Sequence, residues 1–124
     1  MSIEKDIVNS FPSVLSTPQI TDQYIEENQN IMEIGEEIDL LKYVPAYMLW
    51  CIRKKEQELV DFFTVNALAE YGRTKMKENT YLNFRFLCND AQRITVVKFL
   101  RWCKSELYTS EKAQIDRALK HWET

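Results

Sequence analysis

Few residues of this sequence have side chains that could act as nucleophiles. The 124 residues include three cysteines and a single histidine, His121. Cys103 and His121 could form a nucleophilic pair, because the partners in such a pair are neighbours in space and not in sequence. Nothing in the spacing of the two residues favours such a pair. Cys51 and Cys103 both fall on predicted apolar helix faces, where cysteine acts as a small hydrophobic side chain. We predict no catalytic residues and no enzyme, with His121 near a helix end or in solvent.

Acidic side chains are a second group with chemical potential, because paired carboxylates can bind a hard cation or share general acid and base roles. Glu26 and Glu27 form one such pair, and Glu36 and Glu37 form another. The sequence has no EF-hand spacing and no Glu-x-x-His motif, and its only two glycines are too far apart for a phosphate loop. We therefore predict a solvated acidic face, with no metal and no cofactor.

The cysteine pattern and the N-terminal sequence bear on the compartment. Three cysteines cannot all pair, and none lies in a CxxC motif or a Cys/His cluster, so neither a disulfide framework nor a structural zinc site is indicated. The segment MSIEKDIVNSF lacks a basic leader, and no stretch approaches the roughly 18 apolar residues that span a bilayer. We expect a cytoplasmic protein that does not enter a membrane.

Charge is distributed unevenly along the chain. Residues 1–40 contain nine acidic side chains and one basic one, a net charge of −8, whereas residues 41–124 contain ten acidic and fifteen basic ones, a net charge of +5. The two parts could neutralise each other within the fold, or each could present its charge to a partner. Four cations of the predicted helix 89–107 lie on an arc of about 140°. They are Arg93, Lys98, Arg101 and Lys104. A basic stripe favours nucleic-acid binding, but the net charge of −3 and the absence of a helix-turn-helix signature weigh against it.

The composition indicates an all-α fold. Two glycines and three prolines are too few for a fold rich in tight hairpins. We predict one domain over residues 1–124, built as a compact bundle of five to six helices. Ser2 is expected to cap a first helix that ends before Pro12. Thr21 or Asp22 is expected to cap a second helix, which runs to about residue 30.

Residues 45–55 are predicted to form the central helix. Pro45 suits the first turn of a helix, and the residues after it place apolar or aromatic groups on every side. The next helix is expected over residues 58–71, with Gly72 as its C-terminal cap. Its inward side chains are predicted to be Leu59, Phe62, Phe63 and Leu68.

The C-terminal third is predicted to contain one irregular segment and two helices. Residues 81–87 alternate with a two-residue period, which indicates either a short strand or an apolar loop that lies across the helices. Asn89 and Gln92 resemble a capping box at the start of a helix that runs to about residue 107. Its core face is Val96, Phe99, Leu100, Cys103 and Leu107. A last helix over residues 111–122 turns another apolar face inward, formed by Ile115, Ala118, Leu119 and Trp122.

Two motifs resemble those of a family of small bacterial proteins without an assigned function. YVPAYMLW at residues 43–50 is similar to the family's "YLPAYLL" helix start, and QRITVVKFLRW at residues 92–102 is similar to its "QRxAVxxFLRF" helix. IVNSF at residues 7–11 resembles the family's N-terminal "IxxAF". Val44 replaces the usual leucine, and the step at residues 94–95 is less rich in alanine. The resemblance implies a bacterial origin and a mainly helical fold, but it transfers no chemistry, because the motif consists of packing and capping residues.

Elimination and electrostatics together predict a small acidic protein-binding module. The specific hypothesis is an immunity protein or antitoxin that covers the basic active-site cleft of a cognate bacterial toxin, such as a nuclease. The alternatives are a regulatory or phage-related helical adaptor with another partner, and an unrecognised small enzyme. No nucleic acid, membrane or small-molecule substrate is expected as a partner. The predicted partner-binding residues are seven acids and one aromatic anchor. They are Asp22, Tyr24, Glu26, Glu27, Glu33, Glu36, Glu37 and Asp39. These acids could instead pair internally with the four cations of residues 89–107.

Overall fold

The computed structural model describes residues 2–16, 18–34, 38–55, 59–74, 78, 82–107 and 112–123. These residues form helices and turns and contain no β-strand, which confirms the prediction of an all-α fold. The α-helices are α1 Ile3–Ser10, α2 Asp22–Glu27, α3 Leu40–Lys54, α4 Val60–Arg73, α5 Phe84–Leu87, α6 Asp90–Glu106 and α7 Lys112–Trp122. Two 3₁₀ turns lie in the connections after α1 and α2, at Pro12–Ser16 and Ile31–Glu33.

The first two helices begin where their capping residues predict. The side chains of Ser2 and Thr21 each accept a hydrogen bond from the backbone N–H three residues later, which satisfies a donor that the helix leaves unpaired. The second helix is shorter than expected and ends at Glu27. The Tyr47 hydroxyl on α3 donates to the Asn28 carbonyl at 2.5 Å, so a contact from outside the helix holds its last turn.

The central helix α3 begins at Leu40 and not at Pro45 as predicted. The Asp39 carboxylate accepts the backbone N–H of Leu41 at 3.1 Å and so starts the helix upstream of the proline. Pro45 therefore lies inside the helix, where it lacks the N–H that would bond to the carbonyl four residues earlier. The helix packs against α1, α2, α4, α5 and both 3₁₀ turns, and Trp50 is fully buried, which confirms the central position.

In α4 the predicted inward face was partly wrong. Leu68 is buried, but Leu59 and Phe62 are exposed and Phe63 is only half-buried. The buried side of the helix begins instead at Val60 and continues through positions 61, 64, 65 and 68. The segment carries apolar residues on two faces, and packing against α3 and α7 decides which face is covered.

Gly72 is not a helix cap, because α4 continues to Arg73. A Cβ atom at Gly72 would lie 2.7 Å from both Cδ1 and Nε1 of Trp122. The Trp122 indole N–H donates to the Leu68 carbonyl at 2.7 Å, which fixes the ring against α4. The glycine therefore permits the close approach of α4 and α7.

The extended segment predicted at residues 81–87 is wrong for the part that the structure describes; residue 81 lies outside it. Residues 84–87 form the short helix α5. The reason is an aromatic cluster around the fully buried Phe84. Its ring centroid lies 6.1 Å from that of Phe11, 5.6 Å from Tyr71 and 5.7 Å from Trp122. The buried Phe84 ring thus packs against aromatic rings from three other parts of the chain, and the segment forms a short helix instead of a strand.

The last two helices agree with the prediction. The capping box at Asn89 and Gln92 is present in both directions, and the predicted core faces of α6 and α7 are buried. Gln92 also joins two helices, because its amide nitrogen donates to the Ser10 carbonyl at the end of α1 at 3.0 Å. The hydroxyl oxygens of Ser10 and Thr95 lie 2.5 Å apart in the same joint. The Thr109 and Ser110 capping candidates for α7 lie outside the described residues.

All of these helices contribute to one hydrophobic core, with α6 packed between α1 and α7 and with α4 packed against α3 and α7. Among the helices that the structure describes, none is both long and apolar enough to cross a membrane.

Candidate functional site

Two of the predicted partner-binding acids are bound internally to the end of α3. The Arg53 guanidinium lies 3.2 Å from the Asp22 carboxylate, and the Lys54 ammonium lies 3.8 Å from it. Glu26 has shorter contacts. One of its carboxylate oxygens, Oε2, accepts from the Lys54 ammonium at 2.8 Å and from the Trp50 indole N–H at 2.9 Å. These acids therefore hold α2 against α3.

The electrostatics of Glu26 agree with that role. The hydrogen bond from Lys54 lowers the pKa of the Glu26 carboxyl below its ordinary value, and the bond from Trp50 adds to the effect. The same contact raises the pKa of the Lys54 ammonium. Each charge stabilises the other, so both groups stay ionised at neutral pH.

The four cations of α6 have partners other than the predicted acids. Lys98 lies 3.8 Å from the Asp6 carboxylate, Arg101 lies 2.6 Å from Glu123, and Lys104 lies 2.8 Å from Asp116. Arg93 donates from Nε to the Arg85 carbonyl at 3.1 Å and ties α6 to α5. Among the described residues, none of the predicted binding acids pairs with these four cations, so that alternative is wrong for them. Asp6, which pairs with Lys98, was not one of the predicted binding residues.

The remaining acids of the set face solvent. Glu27, Glu33 and Asp39 are exposed, and none of them forms an ion pair within the part of the chain that the structure describes. Glu33 accepts a hydrogen bond from the Asn30 amide at 3.2 Å, and Asp39 is the cap of α3. Glu36 and Glu37 lie outside the described residues.

The aromatic residue of the set, Tyr24, is half-buried on α2. Its ring meets that of Tyr43 on α3 edge to face, with centroids 6.1 Å apart. Partial burial, followed by the neighbouring Tyr43, raises the pKa of the Tyr24 hydroxyl. The contact with Tyr43 braces α2 on α3, and part of the Tyr24 side chain stays exposed.

Three exposed apolar side chains lie on the 3₁₀ turn of residues 31–33 and at the start of α4, and their exposure was not predicted from the sequence. Leu59 is 62% exposed, Met32 40% and Phe62 36%. We call Met32, Leu59 and Phe62 the apolar patch. The backbone N–H of Leu59 donates to Oε1 of Gln29 at 3.0 Å, which joins the start of α4 to the connection after α2. The sequence feature that indicates this exposure is the second apolar face of α4, which we predicted to lie in the core.

A groove lined by both cations and carboxylates lies between α1, the end of α3 and α6. Its volume is about 690 Å³, and its lining includes Lys55, Lys98, Arg101 and Trp102. The Lys55 ammonium lies 5.7 Å from the Trp102 ring centroid. Each of the three cations already has a carboxylate partner, at Glu106, Asp6 and Glu123. The groove therefore offers little uncompensated positive charge to an anion.

The cysteines are buried and free of disulfides. Burial raises the pKa of the Cys51 and Cys103 thiols well above the ordinary value, and Asp61 beside both adds to the effect. Burial also raises the pKa of Cys88 to about 12. Because the thiolate is the reactive form of cysteine, none of these side chains is poised as a nucleophile. In the described ranges, no cluster of three His, Cys, Asp or Glu side chains could hold a metal ion.

Comparison of this chain with protein-family models, with curated proteins and with solved structures found no match. The resemblance to the bacterial family stays a prediction. The motif residues that carry it make architectural contacts in this fold, with Tyr47 on the Asn28 carbonyl, Trp50 on Glu26 and Gln92 on the Ser10 carbonyl.

Proposed function

We propose that this chain is a protein-binding module whose acidic face binds a basic surface of a partner protein. We define the acidic face as Glu27, Glu33 and Asp39. The observation that carries the proposal is that these exposed carboxylates form no ion pair among the described residues, whereas Asp22 and Glu26 are compensated. Uncompensated surface charge steers a partner of opposite charge and raises the association rate.

The specific form of the proposal is neutralisation of a bacterial toxin in the cytoplasm. Toxins that cleave RNA or DNA bind their substrates through basic clefts, because the phosphate backbone is anionic. An acidic face on a small helical protein would occupy such a cleft and exclude the substrate. The free cysteines suit the reducing cytoplasm.

The test compares association kinetics with a partner captured from the native host. The variant Glu27→Lys/Glu33→Lys reverses two charges of the acidic face and leaves the Asp39 cap in place. Its matched control is Glu78→Lys/Asp90→Lys, which reverses two exposed acids that form no ion pair among the described residues. We expect the first variant to slow association on the order of tenfold at low salt and to flatten the salt dependence. The control is expected to remain close to wild type.

The toxin hypothesis has its own readout. Cells that express the captured partner are expected to survive with the wild-type protein and with the control variant, and to lose protection with Glu27→Lys/Glu33→Lys. Failure to retain any protein partner, or unchanged kinetics for the reversed variant, would refute the proposed function.

A further inference from the structure

We infer that the apolar patch beside the acidic face anchors an amphipathic segment of the partner, one that carries lysine or arginine alongside an apolar stripe. This inference rests on the proposed function and names the chemistry of the partner's contact surface. It begins from the position of exposed apolar side chains, because contiguous exposed apolar surface marks interaction sites.

The three side chains of the apolar patch belong to two elements that pack against each other. Six large hydrophobic side chains of the described residues are exposed, and three of them belong to the apolar patch. The other three, Leu15, Leu87 and Ile94, lie on three different elements, which is ordinary for a soluble surface. The 3₁₀ turn that carries Met32 packs against α4, the helix of Phe62.

The patch is also held in place by defined contacts. The hydrogen bond from the Leu59 N–H to Gln29 fixes the start of α4. Phe62 lies three residues after Leu59, so both side chains lie on the same side of the helix start. Phe63 meets Phe62 edge to face with centroids 5.4 Å apart, which restricts the exposed ring. A restrained aromatic ring is a good anchor because little side-chain entropy is lost on binding.

Charge decides which occupant fits. Glu33 follows Met32 directly, and Glu27 lies two residues before Gln29, whose side chain bonds to Leu59. Carboxylates without an ion pair among the described residues therefore lie close to the apolar patch. A segment with an apolar stripe between cations meets both features, as amphipathic helices do when they bind grooves. A second copy of this chain fits less well, because its own apolar patch is accompanied by carboxylates and not by cations. Nucleic acid and anionic lipid would be repelled by the same charges.

The experiment titrates the full chain, labelled with ¹⁵N, with a synthetic 18-residue peptide of leucine and lysine whose leucines follow helical spacing. A peptide of the same composition in scrambled order and a leucine–glutamate peptide are the comparison probes. We expect the ordered basic peptide to shift the amide signals of Met32, Leu59, Phe62 and their neighbours. We expect weaker binding by the scrambled peptide and none by the acidic one.

Variants separate the apolar and the charged contributions. Leu59→Ser/Phe62→Ser is expected to weaken binding of the ordered peptide at least about tenfold. The matched control Leu87→Ser/Ile94→Ser removes side chains that are 44% and 57% exposed on other elements, and we expect it to bind as wild type does. Circular dichroism checks that each variant is folded. Glu27→Lys/Glu33→Lys tests the charged contribution to peptide binding independently, because it changes no apolar side chain.

Several outcomes would overturn the inference. Equal binding of the scrambled peptide, or shifts centred on Leu15, Leu87 or Ile94, would remove the apolar patch as the anchor. Dimerisation in sedimentation experiments that Leu59→Ser/Phe62→Ser abolishes would assign the apolar patch to a second copy. With the captured partner, sensitivity to Glu27→Lys/Glu33→Lys but not to Leu59→Ser/Phe62→Ser would leave the proposed function standing and refute the anchor. Insensitivity to both would refute both.

Discussion

At the scale of single residues, Glu26 has the most consequential contacts. Its carboxylate accepts from Trp50 and Lys54, and its pKa is lower than the ordinary value of 4.5. A carboxyl whose pKa is lower in the folded than in the unfolded chain stabilises the fold above the unfolded-state pKa. That stabilisation is lost as the pH falls through the folded-state pKa.

We therefore predict a pH-dependent effect of Glu26→Gln. The variant should be less stable than wild type at neutral pH, and the difference should shrink as the pH is lowered from about 4.5 through the lowered pKa of Glu26. Urea denaturation across this range measures it. Glu27→Gln is the control, since that neighbour has no ion pair in the described part of the chain. A stability difference that is constant with pH would contradict the prediction.

Gly72 provides a second residue-scale prediction, in which two effects have opposite signs. Replacing an interior helix glycine by alanine ordinarily stabilises a helix by roughly 0.5–1 kcal/mol. Here the new Cβ would meet the Trp122 ring at 2.7 Å, and the hydrogen bond to Leu68 holds that ring in place. We expect overpacking to dominate, with Gly72→Ala destabilising by about 1–3 kcal/mol in urea denaturation.

The double variant Gly72→Ala/Trp122→Leu checks the cause. A smaller side chain at position 122 should reduce the cost of the alanine, which a double-mutant cycle detects as coupling between the two positions. A stabilising effect of Gly72→Ala alone would show that the ring moves away at little cost.

At the scale of elements, α3 connects most of the molecule, and Trp50 is its largest buried side chain. We expect Trp50→Ala to lower the free energy of unfolding by about 3–5 kcal/mol, because truncation leaves a cavity. Trp50→Phe keeps an aromatic ring at this position but lacks the N–H that bonds to Glu26, so comparison with the alanine variant separates most of the packing from the hydrogen bond. A loss below about 1 kcal/mol for the alanine variant would be incompatible with a central α3.

Element boundaries were predictable where a local signal was unique. The Ser2 and Thr21 caps and the capping box at Asn89 act over three residues, so they can be recognised without the tertiary structure. The start of α3 was missed because Pro45 is a strong local signal, whereas the true cap, Asp39, lies upstream in a run of acids. The exposed face of α4 was missed because two of its faces are apolar and only its neighbours distinguish them.

At the scale of the whole molecule, the three cysteines report on the integrity of the core. All are buried, and burial raises the pKa of each thiol. We predict that a thiol reagent reacts slowly with the native protein and rapidly once urea unfolds it. The melting temperature should not change with a reductant or a chelator. Fast reaction of any thiol under native conditions would contradict the burial of that cysteine.

Among the described residues, only part of the negative charge of residues 1–40 is compensated by ion pairs. The N-terminal region has a net charge of −8, but Asp6, Asp22 and Glu26 have cationic partners on α6 and α3. Glu27, Glu33 and Asp39 are exposed, whereas Asp22 and Glu26 contact Arg53 and Lys54. The binding of a partner by these residues stays a prediction.

The sequence by itself determined the helical class, most caps and the core faces of α6 and α7, because these depend on interactions within about four residues. The tertiary structure alone decided the positions of Glu26, Gly72 and the apolar patch. Glu26 meets Lys54 across 28 positions, and Trp122 meets Leu68 across 54. No local period encodes such pairs, since they arise only when packed helices exclude water between distant segments. The same packing covered one apolar face of α4 and left Leu59 and Phe62 exposed.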